Sequence, residues 1–210
     1  MFITILGLIG SGKSTLVANL AKSGNYIEYQ EPVESNPFLE LYYQDPHRWS
    51  YAMQVNLLFE RYKQSQEAFL RSSRGEDTII DSSIYSDAAF ALVQRQSGYF
   101  TDKEYLSYIN MHKVIAAQTA YPDVTVWLEL SPENTLERIK KRSRDCESGI
   151  PIKYLQDLYE AYKVILNKLE PHTKVVKIDA RKSAEAVCDE ALNIISNYKL
   201  NSSQFDIKYY

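Results

Sequence analysis

The feature that most constrains this 210-residue chain is a glycine-rich segment close to its amino terminus. Residues 7–15 read GLIGSGKST and match the pattern G-x-x-x-x-G-K-[ST] at every position. An apolar run precedes the segment and a helical pattern follows it, and this strand–loop–helix context makes the pattern specific. The glycines allow backbone N–H groups to surround phosphate oxygens, and the amino end of the helix adds a favourable dipole. The segment therefore predicts a site for a nucleotide phosphate chain.

Two side chains of this loop, and one carboxylate elsewhere, have expected roles. Lys13 should reach the β- and γ-phosphates of ATP, and Ser14 should ligate Mg²⁺. Asp81 directly follows an apolar run and is the second expected metal ligand, although an aspartate there could instead cap the following helix. The residues expected to bind ATP through the loop are Gly7, Leu8, Ile9, Gly10, Ser11, Gly12, Lys13, Ser14 and Thr15.

The apolar pattern of the whole chain predicts the fold class. Apolar, β-rich runs occur at 2–8, 26–30, 78–80, 124–130 and 174–178, and the run at 26–30 is the weakest. Nearly continuous apolar runs are typical of strands buried on both faces of a parallel sheet, and helical patterns separate them. This alternation predicts an α/β domain with a doubly wound, five-stranded parallel sheet between helices on both faces. Residues 1–200 form the expected single domain, and residues 201–210 form a tail without helical periodicity.

Composition limits the partners. The net charge of -3 argues against binding a nucleic-acid polymer, whereas a small phosphorylated ligand needs only a local basic pocket. No apolar run reaches the length of a membrane span, so no membrane partner is expected. Cys146 and Cys188 fit neither a metal site nor a disulfide framework, which favours two reduced thiols in a cytoplasmic protein.

Three polar side chains outside the loop suggest a second substrate. Glu31 follows the second strand, where a carboxylate can accept the proton of an attacking hydroxyl group. Gln54 and Arg61 are seven residues apart, so they share one helical face from which they could hydrogen-bond a base edge. Taken singly, each feature is explained at least as well by an ordinary turn or by a polar helix face.

A cationic segment follows the fourth apolar run. Arg138 and Arg142 are four residues apart on one helical face, and Arg144 follows them. Such a segment can close over a triphosphate and neutralise developing charge, although a basic cluster by itself is more often a solvated surface.

These features occur in one order from Gly7 to about Tyr162 and resemble the deoxynucleoside kinase family, in the branch of the deoxycytidine, deoxyguanosine and deoxyadenosine kinases. The resemblance rests on the phosphate loop, on Glu-Pro-Val at 31–33 and on the residues around Arg48-Trp49-Ser50, Gln54 and Arg61. It continues through Ile84-Tyr85-Ser86-Asp87 and through the arginine-rich segment to Glu147 and Pro151. The resemblance implies a P-loop kinase fold with an arginine-rich lid, transfer of the γ-phosphoryl group of ATP to the 5′-hydroxyl of a deoxynucleoside, and a homodimer.

The resemblance also implies roles for particular residues. Glu31 is similar to the general base, and Gln54 with the Arg61–Asp87 pair is similar to the group that binds the base. That pair argues against a thymidine specialist and favours a purine deoxynucleoside, with deoxycytidine close behind. The expected catalytic residues are Glu31, Lys13, Arg138, Arg142 and Arg144. The remaining expected substrate contacts are Tyr43 and Glu147 at the sugar 3′-hydroxyl, and Trp49 and Phe90 as walls around the base.

One position departs from the family pattern. The family has an acidic residue, arginine and serine where this chain has Asp81-Ser82-Ser83, so the arginine is missing. Lys13 or a lid arginine could take over its charge, and we expect an active enzyme. Two alternatives stay open at this point. One is a nucleoside monophosphate kinase of the thymidylate kinase type, and the other is a nucleotide-binding regulatory subunit that lost activity with the arginine.

Overall fold

The computed structural model describes residues 1–32, 36–142 and 149–206, with the backbone alone for residues 142 and 201–206. The expected strands are all present, and each end differs from the expected one by at most one residue. The strands are β1 (Phe2–Gly7), β2 (Tyr26–Tyr29), β3 (Asp77–Asp81), β4 (Val124–Glu129) and β5 (Lys174–Asp179). The helices are α1 (Lys13–Ser23), α2 (Leu39–Gln44), α3 (Pro46–Ser72), α4 (Ile84–Gln96), α5 (Asp102–Ala117), α6 (Pro132–Arg142), α7 (Ile152–Leu169) and α8 (Ala184–Asp206).

The strands form one parallel sheet in the order β2-β3-β1-β4-β5. β1 lies at the centre, where Ile3 pairs with Ile79 of β3 on one side and with Val124 of β4 on the other. All six residues of β1 are buried, as a strand covered on both faces requires. The doubly wound parallel sheet predicted from the apolar runs is therefore confirmed.

Apolar clusters cover both faces of the sheet. On one face, α1 and α8 pack against β1, β3, β4 and β5 through residues such as Leu20 and Ile195. On the other face, α3, α4, α5 and α7 surround Leu6 and Trp127, both of which are almost fully buried. Helices on both faces of one sheet give the expected three layers, so the fold class is confirmed.

The ends of three helices show how short sequence signals act in the fold. The Thr101 hydroxyl accepts a hydrogen bond from the backbone N–H of Glu104 at 3.2 Å, so a capping box begins α5. Pro132 begins α6, at the first helical position that proline favours. The expectation that helical structure stops at Leu200 is wrong, because α8 continues to Asp206. No proline or glycine interrupts residues 201–206, and adding residues to an existing helix is much less costly than starting one.

The topology brings three functional segments to one edge. Because the strands are parallel, their carboxyl ends all meet at the same edge of the sheet. β1 leads into the phosphate loop there, β3 ends at Asp81, and β2 leads to Glu31. The chain passes from one side of β1 to the other at this point, which is where open α/β sheets bind ligands.

Candidate active site

The phosphate loop joins β1 to α1. Gly12 precedes the helix with φ of 101°, a left-handed conformation that glycine adopts without the penalty of a Cβ atom. A Cβ atom on Gly7 would overlap Ser11 Oγ and lie 3.2 Å from Leu128 Cβ, so these neighbours would have to shift. The buried Lys13 donates from Nζ to the carbonyl oxygen of Leu8 at 3.2 Å, which holds the ammonium against the loop. No acidic residue occupies the first turn of α1, so its N–H groups are open to an anion.

Ser14 and Asp81 form an oxygen pair beside the loop. The Ser14 hydroxyl donates to Asp81 Oδ2 at 2.6 Å, and Asp81 is only 1% exposed. Burial raises the pKa of Asp81, and the charge of Glu31 adds to this effect while Lys13 opposes it. Mg²⁺ prefers oxygen ligands and usually takes one or two from the protein, with the rest from phosphates and water. The pair therefore fits the magnesium ion that accompanies ATP, and the described ranges hold no larger cluster of metal-binding side chains.

On the opposite side of the site, Arg61 joins the two carboxylates expected to serve the second substrate. Its guanidinium donates from Nη2 to Glu31 and from Nη1 to Asp87. Gln54 lies seven residues earlier on the same face of α3 and donates from Nε2 to Asp87 Oδ1 at 3.0 Å. The side chains of Arg61 and Asp87 are 3% and 0% exposed, so this is a buried ion pair. Gln54 and Arg61 therefore lie on one face of α3, as their spacing predicted, and both donate to Asp87.

The charges around Glu31 decide its protonation state. Burial by itself would raise the pKa of Glu31. The charges of Arg61 and Lys13 outweigh burial, and hydrogen bonds from Arg61 and Ser82 add to them, so the pKa is lowered below its ordinary value. Glu31 is therefore an ionised carboxylate near neutral pH, and its side chain keeps 21% of its surface exposed. It can accept a hydrogen bond or a proton without first having to ionise.

One cavity of about 1020 Å³ connects the phosphate loop with these residues. Lys13 and Ser14 line it on the loop side, and Glu31, Gln54 and Arg61 line it on the other. Phe90 of α4 also lines the cavity, and its ring centroid lies 5.7 Å from the Arg61 guanidinium carbon. The volume is at the upper end of the range for small-molecule sites, which suits two ligands placed end to end.

Comparison with known proteins identifies the family of the chain. The profile of the deoxynucleoside kinase family matches residues 3–199. The chain belongs to the deoxynucleoside kinase family. It is 37% identical over 177 residues to a deoxyadenosine kinase of Dictyostelium discoideum, covering 84% of this chain and 71% of the relative. It is 34% identical over 164 residues to a deoxyadenosine/deoxycytidine kinase of Bacillus subtilis (strain 168), covering 77% of this chain and 74% of the relative.

A solved structure agrees with this assignment. The deoxyadenosine kinase of M. mycoides with bound dATP superposes with a TM-score of 0.81 at 28% identity, over 93% of this chain and 100% of that one. The same enzyme with bound dCTP gives a TM-score of 0.82 at 27% identity, over 94% of this chain and 100% of that one. The resemblance stated from the motifs is therefore confirmed at the level of family, fold and kinase activity.

Some of the other expected site residues of the kinase line the cavity, and others do not. Tyr43 and Phe90 line the cavity, whereas Asp87 lies behind Arg61 and Gln54 and positions them. Trp49 does not line the cavity, contrary to expectation, because its ring stacks on Phe38 with centroids 5.9 Å apart.

Arg138 also lies elsewhere than expected. Its guanidinium donates to the carbonyl oxygen of Ser11 at 3.2 Å and to that of Ala180. It therefore braces the phosphate loop from outside the cavity lining. The side chain of Arg142 lies outside the described part of the chain, as do Val33, Arg144 and Glu147.

Several lining residues had no expected site role, and among them are Tyr42, Gln94, Tyr99 and Tyr154. Gln94 was accessible to sequence reasoning, because it lies seven residues after Asp87 and shares its face of α4. The three tyrosines carry no such signal in a chain with 17 tyrosines.

Ser82, which stands where the family has arginine, is buried at 2% exposure. Its φ is 69°, a left-handed conformation that is uncommon for any residue other than glycine. Its hydroxyl donates weakly to Asp81 Oδ1 at 3.4 Å. Arg61 and Lys13 are the cations whose charges reach Glu31 here. A short polar side chain thus fills this position, and the positive charge near Glu31 comes from α3 and from the phosphate loop.

Proposed function

We propose that this kinase transfers the γ-phosphoryl group of ATP to the 5′-hydroxyl of a purine deoxynucleoside, with deoxycytidine as its second substrate. A single observation carries the proposal. The ionised Glu31 and the Gln54–Arg61–Asp87 group share one cavity with the phosphate loop. A nucleoside bound by its base at that group can present its hydroxyl to Glu31 while the loop holds a triphosphate.

The residues of the site would divide the work as follows. Lys13 and the N–H groups at the start of α1 bind the phosphates, and Ser14 and Asp81 hold Mg²⁺. Mg²⁺, when bound, neutralises the charge that develops on the phosphate oxygens during transfer. Glu31 orients the 5′-hydroxyl group and accepts its proton. Gln54 and Arg61 bind the base, and Tyr43 binds the sugar. The lid arginines Arg142 and Arg144 are proposed to cover the phosphates and exclude water, and Glu147 to join Tyr43 at the sugar.

Replacing Glu31 tests the proposal directly. A Glu31→Gln substitution keeps the shape and removes the proton acceptor, so turnover should fall by roughly 10²–10⁴ while nucleoside binding persists. Turnover is measured with the four natural deoxynucleosides, ATP and Mg²⁺, and binding by calorimetry. Glu28→Gln on the exposed face of β2 is the matched control and should change neither quantity. Near-normal turnover of Glu31→Gln would remove Glu31 from this role.

A substitution at Ser82 tests the alternative that the chain is a nucleotide-binding regulatory subunit. If the missing arginine had abolished catalysis, the parent chain would bind nucleotide without transferring phosphate, and Ser82→Arg would restore a large rate. The proposal predicts the reverse, which is measurable turnover of the parent chain. Deoxynucleoside monophosphates in the same assay test the thymidylate-kinase alternative, which requires them to be the better acceptors.

A homodimer in the cytoplasm completes the proposal. α3 and α5 lie side by side, joined by a hydrogen bond of 3.0 Å between the hydroxyls of Tyr51 and Ser107. They expose Phe59, Leu106 and Val114 at 54%, 62% and 61%. Exposed apolar side chains on paired helices suit packing against a second copy, and sedimentation velocity would give the mass.

Among the helices of the described ranges, none has the length and apolarity that a bilayer span requires.

A further inference from the structure

Gln94 is the buried polar group of the cavity that the proposed chemistry does not use. It is 1% exposed and lines the cavity from α4. Its Nε2 donates to the hydroxyl of Tyr42 at 3.1 Å, but its Oε1 accepts no hydrogen bond from any residue of the described ranges. A buried amide oxygen without a donor costs free energy, so its persistence in a ligand cavity points to a donor on the ligand.

The position of Gln94 shows which part of a nucleoside it can reach. α3 and α4 run antiparallel, since Arg61 and Gln54 meet Asp87 near the start of α4, whereas the Ser50 hydroxyl donates to the carbonyl oxygen of Tyr99 beyond its end. Gln94 lies seven residues after Asp87, about 10 Å further along the helix axis. It is therefore displaced from Asp87 toward the end of the cavity opposite Glu31. A nucleoside with its 5′-hydroxyl at Glu31 directs the far edge of its base to that end.

The chemistry of the amide narrows the choice of base. With one N–H bonded to Tyr42, the amide of Gln94 still offers an acceptor oxygen and a second N–H donor. An acceptor beside a donor is complementary to an amino group beside an unprotonated ring nitrogen, which is the pattern that glutamine binds on adenine. Guanine carries a carbonyl oxygen in place of that amino group. Cytosine has a similar edge, but its single ring is shorter than a purine.

From this geometry we infer that Gln94, positioned by Tyr42, is a specificity residue that binds the amino edge of adenine and makes deoxyadenosine the preferred acceptor. This inference rests on the proposed function, because it assigns the base within the same cavity. Tyr42 is a positioning residue, since its hydroxyl holds the amide and does not itself bind the base.

The test pairs one substitution with one altered substrate. Gln94→Leu should lower kcat/KM for deoxyadenosine by about 10- to 100-fold. Purine 2′-deoxyriboside lacks the 6-amino group, so its kcat/KM in the same variant should stay within about threefold of the parent value. Tyr42→Phe should reduce the preference for deoxyadenosine over purine 2′-deoxyriboside by a smaller factor. Gln96→Leu on the exposed side of the same helix is the matched control, and it should leave kcat/KM unchanged for both substrates.

Two outcomes would overturn the inference. One is an equal loss for both substrates in Gln94→Leu, which would show a role in packing alone. The other is a ratio of kcat/KM for deoxyadenosine to kcat/KM for purine 2′-deoxyriboside that is the same in Gln94→Leu as in the parent. Calorimetric binding of the two nucleosides to parent and variant gives the same comparison without turnover, so a chain that binds nucleosides but does not phosphorylate them still tests Gln94. In that case the proposed function fails and the inference is judged on binding.

Discussion

The buried ion pair between Arg61 and Asp87 makes a quantitative prediction about stability. Methionine in place of Arg61 keeps an unbranched apolar stem and removes the guanidinium, which leaves Asp87 with 0% side-chain exposure and no cationic partner. Breaking a buried pair by removing one partner costs about 3–5 kcal/mol, because the other charge stays buried. With a urea dependence of about 2–3 kcal/mol per M, the unfolding midpoint of Arg61→Met should fall by about 1–2.5 M.

The control for this experiment lies on the same helix. Arg71 pairs with Glu67 and Glu76 on the surface, where its side chain is 41% exposed. Exposed pairs contribute about 0–1 kcal/mol, so Arg71→Met should leave the midpoint nearly unchanged. Both variants are compared with the parent by urea unfolding followed by circular dichroism. A loss for Arg61→Met no larger than that for Arg71→Met would refute the assignment of Arg61 as the essential partner of a buried carboxylate.

The same substitution changes the pH dependence of the reaction. Arg61 is the largest of the charges that lower the pKa of Glu31, so its removal raises that pKa. The acid limb of kcat/KM against pH should therefore move to higher pH in Arg61→Met. The part of the stability that comes from the Glu31 contact is fully present above the ordinary pKa of 4.5 and is lost as the pH falls through the lowered value. The difference in unfolding free energy between the parent and Arg61→Met should accordingly become smaller at acid pH.

Two further predictions concern the metal ligands and a buried histidine. Ser14→Ala removes the hydroxyl that Asp81 contacts and should raise the Mg²⁺ concentration for half-maximal turnover about tenfold, whereas Ser23→Ala at the exposed end of α1 should not. Burial lowers the pKa of His112, whose Nε2 lies 2.7 Å from the carbonyl oxygen of Ile84. The unfolded chain therefore takes up a proton first as the pH falls from 7 to 5, and the parent should lose unfolding free energy over that range while His112→Gln should not.

The main lines of the fold followed from two signals in the sequence. Continuous apolar runs such as that from Phe2 report burial on both faces of a strand, and few structures other than a parallel sheet provide it. The phosphate loop is a local motif whose glycines and lysine act within one turn of chain. Both signals depend on neighbouring residues, which is why the sequence alone could predict the parallel sheet and the strand–loop–helix at its centre.

The details of the site depend on contacts between distant segments. Arg61 reaches Glu31 across 30 positions and Asp87 across 26, and nothing in the local sequence indicates that one guanidinium joins both carboxylates. The same reason explains why the sequence could not indicate that Trp49 stacks on Phe38. An aromatic residue near the start of α3 could equally line the cavity or stack on Phe38, and helical spacing does not distinguish the two.

The left-handed backbone of Ser82 has a consequence for protein engineering. Val, Ile and Thr are strongly disfavoured at φ of 69°, whereas Gly, Asn and Asp adopt it with little strain. A library at this position would thus be filtered by main-chain geometry before any effect on phosphoryl transfer could be read. Designers who wish to retune the catalytic centre should introduce long or branched side chains on α3 or α4, where ordinary helical dihedrals accept them.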